Sequence, residues 1–444
     1  MVKNLTEGKV SSVLWRFTMP MFISVVFQQM YNISDSAIAG TYAGENALAA
    51  VGASYPITMI FMAIAVGSNV GCSVVISRLF GSGMLRKMKT AISTTLLSSG
   101  VLALVLTVLG LLLSAPLMRL LNTPEGIFVQ GDLYLKIYIA GLLFLFLYNV
   151  STGIFTSLGD SKTPLYFLIG SSLGNIFLDW LFVAVFHWGV SGVAWATFIA
   201  QGIACVFVLI SLYGRVRAIP VSGGKVSLYS HDMLIKICRI AVPSILQQSF
   251  VSVGNLFIQG LVNSYGAGVL AGYSAAVKLN NFAITSFSTM SNGISNFTAQ
   301  NLGAGKPERV KAGFRTGCGM VWCIALPFIL LYFLFGTCAM GLFLTNPQGE
   351  AMATGILYLK ILSPFYLVIP IKLLADGVLR GGSAMKSFMT TTFSDLILRV
   401  VLAFAFSHIW GSTGIWIAWP VGWLISMVLS LIFYCRGNWL KMNS

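Results

Sequence analysis

Hydrophobic stretches of about twenty residues recur from one end of this 444-residue chain to the other. Each stretch is long enough to cross a hydrocarbon core of about 30 Å as a helix. Stretches such as 96–113 and 142–148 have no polar face to present to water. Only 9% of the residues are charged, whereas soluble domains carry about 25%. The sequence therefore predicts an all-α integral membrane protein.

Twelve such stretches can be separated, and a longer polar segment divides them six and six. This division predicts an N-terminal six-helix half at 1–214, a cytoplasmic linker at 215–232 and a C-terminal six-helix half at 233–444. The spans are expected near 14–39, 47–76, 90–114, 130–152, 164–187, 190–213, 234–261, 268–298, 313–338, 352–378, 387–409 and 412–435.

The basic residues indicate an orientation in the membrane. With alternating loops, 21 of the 27 Lys and Arg fall on the side of the termini, and only Arg119, Lys136 and Lys360 fall on the other. Because Lys and Arg collect in cytoplasmic loops, both termini are predicted to be cytoplasmic in a multi-pass cell-membrane protein. A net charge of +15 would also suit a nucleic-acid-binding protein. The basic residues lie at the ends of the apolar stretches, however, so no nucleic-acid partner is expected.

The chain repeats itself at half its length. A shift of 222 residues places glycines and tryptophans of the first half on the same residue types in the second, in one register throughout. Two halves of equal topology predict pseudo-symmetric six-helix bundles around a central cavity, as in alternating-access transporters. The matching pairs include Gly81 with Gly303, Gly83 with Gly305, Gly159 with Gly381, Trp188 with Trp410 and Gly189 with Gly411.

Two acidic residues of the first half lie deep within spans. Asp35 ends a polar stripe on the first span, in which Gln28, Asn32 and Asp35 share one helix face and Tyr31 lies one turn before Asp35. Asn175 and Asp179 are one turn apart on the fifth span. A charged Asp at mid-membrane costs about 2.5–3.5 kcal/mol even on the mildest scale. Asp35 and Asp179 are therefore the candidate functional residues.

The residues alone leave three roles open for this pair. The two Asp residues could hold helices together through hydrogen bonds. They could carry protons, because burial disfavours the charged form of a carboxylate and two nearby carboxylates repel each other. With an amide and a hydroxyl oxygen they could also bind a hard cation such as Na⁺. Pro20, in the same span as Asp35, allows a static bend or a hinge.

The second half does not repeat the acidic pair. The shift of 222 places Phe257 opposite Asp35 and Val401 opposite Asp179. Asp395 and Arg399 are four residues apart on one predicted helix, so they are expected to form an ion pair. Asp376 and Lys278 could line the cavity or lie near an interface, and Lys372 lies in the same span as Asp376.

The motifs resemble those of the multidrug and toxic compound extrusion (MATE) transporters. The first span carries Pro20, Gln28, Tyr31 and Asp35, and the stretch 47–52 reads Ala-Leu-Ala-Ala-Val-Gly. A short loop at 159–164 reads Gly-Asp-Ser-Lys-Thr-Pro and is similar to the family's Gly-Asp-x-Lys-x-Pro loop. The resemblance covers essentially the whole chain.

The resemblance implies an antiporter that exports organic, often cationic, compounds in exchange for H⁺ or Na⁺. It implies no cofactor other than this coupling ion. The cation site implied, for H⁺ or for Na⁺, comprises Tyr31, Asp35, Asn175, Asp179 and Thr197, with Gln28 close by and Pro20 at the bend of the first helix. The seventh span carries Gln247, Gln248 and Asn255 but no carboxylate, a departure from the family branch that has acidic ligands in its second half.

Other functional classes fit less well. A flippase for lipid-linked oligosaccharides, from the same superfamily, is expected to have more spans or an Arg-rich cavity. The major facilitator class also has twelve spans, but the segment 78–83 does not match its basic loop signature. An enzyme would need a cluster of catalytic or metal-binding groups, and the three His residues lie in loops or at span ends. The expected partners are small organic substrates and the lipid bilayer, with no obligate protein partner.

Overall fold

The structure is a computed structural model that describes residues 4–38, 41–42, 45–121, 123–221, 225–344 and 349–440. The side chains of 35–37 and 45–48 lie outside this description. The described residues form helices joined by short turns, with no strand among them. The helices of the first half are α1 (Val10–Ile38), α2 (Glu45–Gly81), α3 (Leu85–Leu120), α4 (Glu125–Ala140), α5 (Leu142–Ser157), α6 (Lys162–Asp179) and α7 (Gly189–Arg217).

The second half repeats this pattern of long and paired helices. Its helices are α8 (His231–Asn263), α9 (Ala267–Gly303), α10 (Pro307–Leu334), α11 (Gly336–Met340), α12 (Glu350–Leu362), α13 (Ile369–Gly381), α14 (Met385–Trp410) and α15 (Ser412–Cys435). A π-helical segment, Trp180–Val185, follows α6, and 3₁₀ segments occupy Ser363–Leu367 and Asn438–Leu440.

Each of the twelve predicted spans corresponds to one long helix or one bent pair. In the ranges that the structure describes, nine helices are long and apolar enough to cross a membrane. Two further spans are bent pairs, α4 with α5 at 48° and α12 with α13 at 49°. The twelfth predicted span falls on α9, a continuous helix of 37 residues whose apolar sequence is interrupted by Lys278 and several Asn residues.

The internal repeat is present in the backbone. Helices α2 and α9 begin and end 222 residues apart, and so do the first residues of α3 and α10. The turns that follow α2 and α9 both use a glycine in the left-handed region, Gly83 at φ +71° and Gly305 at φ +69°. A residue with a Cβ is disfavoured at such a position. The repeated glycines therefore fix the same sharp turn in both halves.

The chain folds as two compact units whose limits fall inside helices. Among the described residues, the first unit contains Asn4 and Met19–Ile245, and the second contains Leu5–Thr18 and 246–440. The first part of α1 therefore belongs to the second unit, and the first part of α8 belongs to the first unit. The described residues of the predicted linker, 215–221 and 225–232, lie within the first unit.

In the second unit, the segment before α1 forms turns and bends rather than a helix, and Leu5 is only 2% exposed. The Leu5 backbone N–H donates to Oε1 of Gln300 at 3.1 Å. Nζ of Lys306 donates to the carbonyl of Thr6 at 3.0 Å, and Nη1 of Arg309 donates to the carbonyl of Gly8 at 2.9 Å. The end of α9 and the start of α10 thus anchor this segment through its backbone.

Candidate functional site

Asn175 and Asp179 lie one turn apart on α6, as the sequence predicts, and are 4% and 0% exposed. The side-chain amide of Asn175 donates to Oδ2 of Asp179 at 3.1 Å. Asp179 is the last residue of α6, directly before the π-helical segment Trp180–Val185. Single turns of π-helix frequently occur at functional sites. The carboxylate of Asp179 is therefore held by its own helix at the point where the helix changes its winding.

Four elements of the first unit meet close to Asp179. Val183 of the π-helical segment and Val193 of α7 form a buried apolar cluster, against which Ile38 of α1 and Tyr134 of α4 pack. Such a cluster fixes the spacing of the helices that contribute to it. The ends of α1 and α6 and the beginning of α7 therefore come together around Val183.

Three predicted site residues lie within about one turn of this cluster. Asp35 precedes Ile38 by three residues on α1, and Asp179 precedes Val183 by four. Thr197 follows Val193 by four residues on α7. The backbone of Asp35 belongs to α1, but its side chain lies outside the described part of the structure. The structure thus brings together the helices that carry Asp35, Asp179 and Thr197.

Thr197 lines a small cavity beside the bend between α4 and α5. Its hydroxyl donates to the carbonyl of Val193 at 3.0 Å, within its own helix. The polar residues Tyr134, Tyr138 and Gln201 were not predicted from the sequence, although a spacing of one turn, as from Thr197 to Gln201, could have indicated them. The cavity is lined by Tyr134, Ile137, Tyr138, Gly141, Ala194, Thr197, Phe198 and Gln201.

The polar stripe of α1 is more open than the Asp179 pair. Gln28 and Asn32 are exposed, and Tyr31 is half-buried. The side-chain amide of Asn32 donates to Oε1 of Gln29 at 3.1 Å. Gln28 and Asn32 are therefore not packed into the apolar cluster that Ile38 joins.

Pro20 is buried in the interior of α1, which continues on both sides of it. The limit between the two units passes between Thr18 and Met19, and in α8 it passes just after Ile245. Pro243 lies inside α8, two residues before that limit. In both helices the change of unit therefore occurs beside a proline, which removes one helical hydrogen bond.

The loop before α6 is a helix cap. Oδ1 of Asp160 accepts hydrogen bonds from the backbone N–H groups of Lys162 and Thr163, and Oδ2 accepts one from the Thr163 hydroxyl. Arg215, at the end of α7, forms an ion pair with the same carboxylate. Burial alone would raise the pKa of Asp160, but the hydrogen bonds from Thr163 and the Arg215 charge outweigh it and lower this pKa. Asp160 thus ties the start of α6 to the end of α7.

In the second unit, Asp376 is fully engaged. Nζ of Lys372 lies 2.8 Å from its Oδ2, one turn away on α13. Its Oδ1 accepts hydrogen bonds from Thr391 at 2.9 Å and from Ser430 at 2.8 Å. Removing one partner of a buried ion pair leaves an uncompensated charge and is strongly destabilising, so Lys372 and Asp376 have a structural role in the second unit. Lys278 is exposed, with its ammonium 5.5 Å from the centre of the Phe343 ring.

The prediction of an ion pair between Asp395 and Arg399 is wrong. Within the described residues, Oδ1 of Asp395 and the Nε and Nη2 atoms of Arg399 have no hydrogen-bond partner. The Arg399 guanidinium lies instead 4.3 Å from the centre of the Trp419 ring. The spacing of four residues brings the two side chains within reach, but an aromatic face from α15 holds the cation.

Arg380 is a further buried charge that was not predicted from the sequence. It lies on α13, one turn after Asp376, and its Nη2 donates to Oδ1 of Asn292 at 2.8 Å. Its guanidinium also lies 5.4 Å from the centre of the Phe388 ring. The periodic pattern of α13 could have indicated it, since Lys372, Asp376 and Arg380 are spaced at intervals of four.

Comparison with known families decides the identity of the fold. The MatE family model matches residues 20–181 and again residues 243–405. Together these ranges cover well over half of the chain. The chain belongs to the MatE family.

Two relatives of this MatE protein are described as probable multidrug resistance proteins. It is 29% identical over 441 residues to the probable multidrug resistance protein YpnP of Bacillus subtilis, covering 99% of this chain and 98% of the relative. It is 27% identical to the probable multidrug resistance protein YoeA of the same organism, with coverage of 97% and 95%. The resemblance to MATE transporters seen in the sequence is confirmed.

Solved structures share the fold of this MatE chain. A multidrug resistance MATE family transporter of the MOP superfamily, solved in an outward-facing conformation, superposes with a TM-score of 0.92 at 22% identity. The match covers 98% of this chain and 97% of that one. The predicted all-helical membrane fold is thereby confirmed. The two matches of the family model begin at Pro20 and Pro243, so the family signature itself follows the internal repeat.

Proposed function

We propose that this MatE protein is a secondary antiporter that exports organic, often cationic, compounds in exchange for H⁺ or Na⁺. The observation that carries the proposal is the buried Asn175–Asp179 hydrogen bond on α6, within one turn of the cluster that Ile38 and Val193 join. A buried carboxylate in a membrane span is a functional candidate by default. The multidrug resistance relatives supply the class of substrate.

The coupling follows from the chemistry of the carboxylates. An ionised Asp179 accepts the Asn175 hydrogen bond, and a charge-assisted bond of this kind is about twice as strong as a neutral one. Binding of H⁺ neutralises the carboxylate. Binding of Na⁺ would use the oxygens of Asp35, Asn175, Asp179 and Thr197, the ligand type that hard cations prefer. Either event removes a buried negative charge and biases the helices that carry it toward a second arrangement.

The orientation of the chain in the membrane belongs to the same proposal. We place the protein in the cell membrane with both termini cytoplasmic. The turn between α2 and α3 is followed by Arg86, Lys87 and Lys89, and the corresponding turn between α9 and α10 is followed by Arg309 and Lys311. Positive side chains at these repeated turns fit cytoplasmic loops. The direct partners are then the lipid bilayer and small organic molecules.

Everted membrane vesicles test the proposal with ethidium, an organic cation, as the probe. A proton gradient and a sodium gradient are imposed separately, and uptake of ethidium into the vesicles is followed. One of the two gradients should drive uptake by the wild-type protein, and Asp179→Asn should abolish it. Glu308→Gln is the matched control, because Glu308 is an exposed carboxylate paired with Lys311 at 2.9 Å. Uptake that neither gradient drives, or an active Asp179→Asn variant, would overturn the proposal.

A further inference from the structure

Asp395 is a buried carboxylate that the site in the first unit does not use. It lies on α14 and is 7% exposed, with Oδ1 lacking a hydrogen-bond partner among the described residues. Helix α15 approaches it at Gly422, where a Cβ would lie 3.3 Å from this oxygen. A buried ionised carboxylate is costly unless it is paired and hydrogen-bonded. Oδ1 of Asp395 is therefore a buried acceptor that can take up a proton or a cationic donor.

The cation nearest in sequence is held elsewhere. Arg399 is 5% exposed and one turn from Asp395 on α14. Its guanidinium is stacked on Trp419, with Nε and Nη2 free of hydrogen bonds within the described structure. Arg remains charged under all physiological conditions. A stacked guanidinium with free donors is poised to pair with a carboxylate once that carboxylate is ionised.

The other ionisable groups around Asp395 are already engaged or neutral. Helix α13 contributes Lys372 and Asp376, which pair with each other at 2.8 Å. Tyr273 of α9 and Tyr358 of α12 also lie within electrostatic range of the Arg399 guanidinium. Helix α15 presents Gly422 and Trp419, and the second part of α8, packed through Phe250 on Phe393, has no ionisable residue. The Lys372 ammonium also interacts electrostatically with Asp395, but it is already paired with Asp376, whereas Arg399 keeps donors without a partner in the described surroundings.

We infer that Asp395 is a proton-binding residue of the second unit and that Arg399 exchanges between the Trp419 ring and the Asp395 carboxylate as the proton leaves and returns. When Asp395 is protonated, Arg399 rests on the indole face. When the proton departs, the carboxylate and the guanidinium form the ion pair that their spacing of four residues permits. Loss of the proton changes the net charge of the two side chains from +1 to 0, and the ion pair then compensates the new negative charge within one helical turn. Its contribution to export rests on the proposed antiport function.

Infrared titration of the purified protein tests the inference without any substrate. The C=O stretch of protonated carboxylic acids is recorded across the neutral pH range for the wild type, Asp395→Asn, Arg399→Gln and Arg399→Lys. Asp395→Asn should remove one titrating band. Arg399→Gln should make the band persist about one pH unit or more higher, because the compensating cation is lost. Arg399→Lys keeps the charge and should stay closer to the wild type.

The outcomes separate this inference from the proposed function. Glu308→Gln, the exposed control, should leave the buried-carboxyl band unchanged. A spectrum of Asp395→Asn that titrates like the wild type would show that Asp395 does not exchange a proton, and would overturn the inference. A band unmoved in Arg399→Gln would overturn the role of Arg399, and that variant retains the carboxyl if Asp395→Asn does not fold. A titrating Asp395 in a protein without gradient-driven ethidium uptake would refute the antiport proposal alone.

Discussion

The side-chain amide of Asn175 donates a 3.1 Å hydrogen bond to Oδ2 of Asp179, one turn further along α6, and both side chains are buried. The donor and the acceptor belong to one rigid element, so their geometry is preserved when neighbouring helices move. Asn175 therefore fixes the orientation of the Asp179 carboxylate and stabilises its ionised form. This contact and three others in the two units can each be tested by substitution.

Asn175→Ala should slow gradient-driven ethidium uptake by roughly tenfold without abolishing it. Hydrogen bonds to charged groups are worth about 1.5–3 kcal/mol, and the variant loses one such bond while the Asp179 charge remains. Initial uptake rates in everted vesicles measure the effect. Ser172→Ala, a buried position one turn earlier on α6, should retain the wild-type rate. Equal loss in the two variants would mean that α6 is simply sensitive to truncation.

Replacing Asp160 should destabilise the protein in a way that depends on pH. Asp160→Asn keeps an oxygen acceptor for the start of α6 but removes the ion pair with Arg215, and the loss of this charged hydrogen bond should cost about 1.5–3 kcal/mol. Because the folded-state pKa of Asp160 is lowered, its contribution is present above the ordinary Asp pKa of about 3.9. The contribution is lost as pH falls through the folded-state value. Thermal unfolding of the detergent-solubilised variants should therefore differ at neutral pH and converge below about pH 4. A difference in melting temperature between the wild type and Asp160→Asn that stays constant with pH would show that the charge of Asp160 is not its cause.

Gly377 should not tolerate a side chain, because α13 packs closely on α9 at this position. A Cβ there would lie 2.6 Å from the backbone carbonyl oxygen of Ser291, so Gly377→Ala forces the backbones apart and should cost about 1–3 kcal/mol. At Gly319 on α10, by contrast, an added Cβ would meet nothing within 4 Å. Gly319→Ala should thus be neutral or stabilise by about 0.5–1 kcal/mol. Melting temperatures of the two variants, each compared with that of the wild type, test both expectations.

Arg309→Ala should release the segment Leu5–Gly8 from the second unit. The guanidinium bonds the carbonyl of Gly8 at 2.9 Å and Oδ1 of Asn301 at 3.0 Å. Without it, trypsin should cleave after the exposed Lys9 several times faster, as measured by mass spectrometry of timed digests. Lys311→Ala provides the control, since Lys311 pairs only with the exposed Glu308 in the described contacts. Equal cleavage in both variants would show that Arg309 does not hold the segment.

The helices and their repeat could be predicted because they depend on local patterns. Apolar runs fix where a helix lies in the sequence, and the repeated glycines mark the turns at Gly83 and Gly305. The spacing of Asn175 and Asp179 also sufficed, because both residues lie on one helix. For the same reason the polar stripe of α1 could be placed on one face.

The remaining features depend on contacts between distant residues. The Asp395–Arg399 prediction failed because Trp419, on another helix, competes for the guanidinium. Tyr138 and Gln201 line a cavity only because the α4–α5 pair bends at Gly141. No local pattern indicates that Leu5 packs beside Gln300. Such contacts depend on which helices become neighbours, and that is not encoded in the spacing of any single helix.

The anchoring of Leu5–Gly8 also constrains the order in which the protein can fold. Leu5 is separated by 295 residues from Gln300, its hydrogen-bond partner. The ribosome makes the whole first unit between these two residues, and closing so long a loop delays the contact. The segment Leu5–Gly8 therefore lacks its partners while the seven spans from α1 to α8 are made, and only the synthesis of α9 and α10 supplies them. A protein truncated before Gln300 would leave this segment without any of these partners.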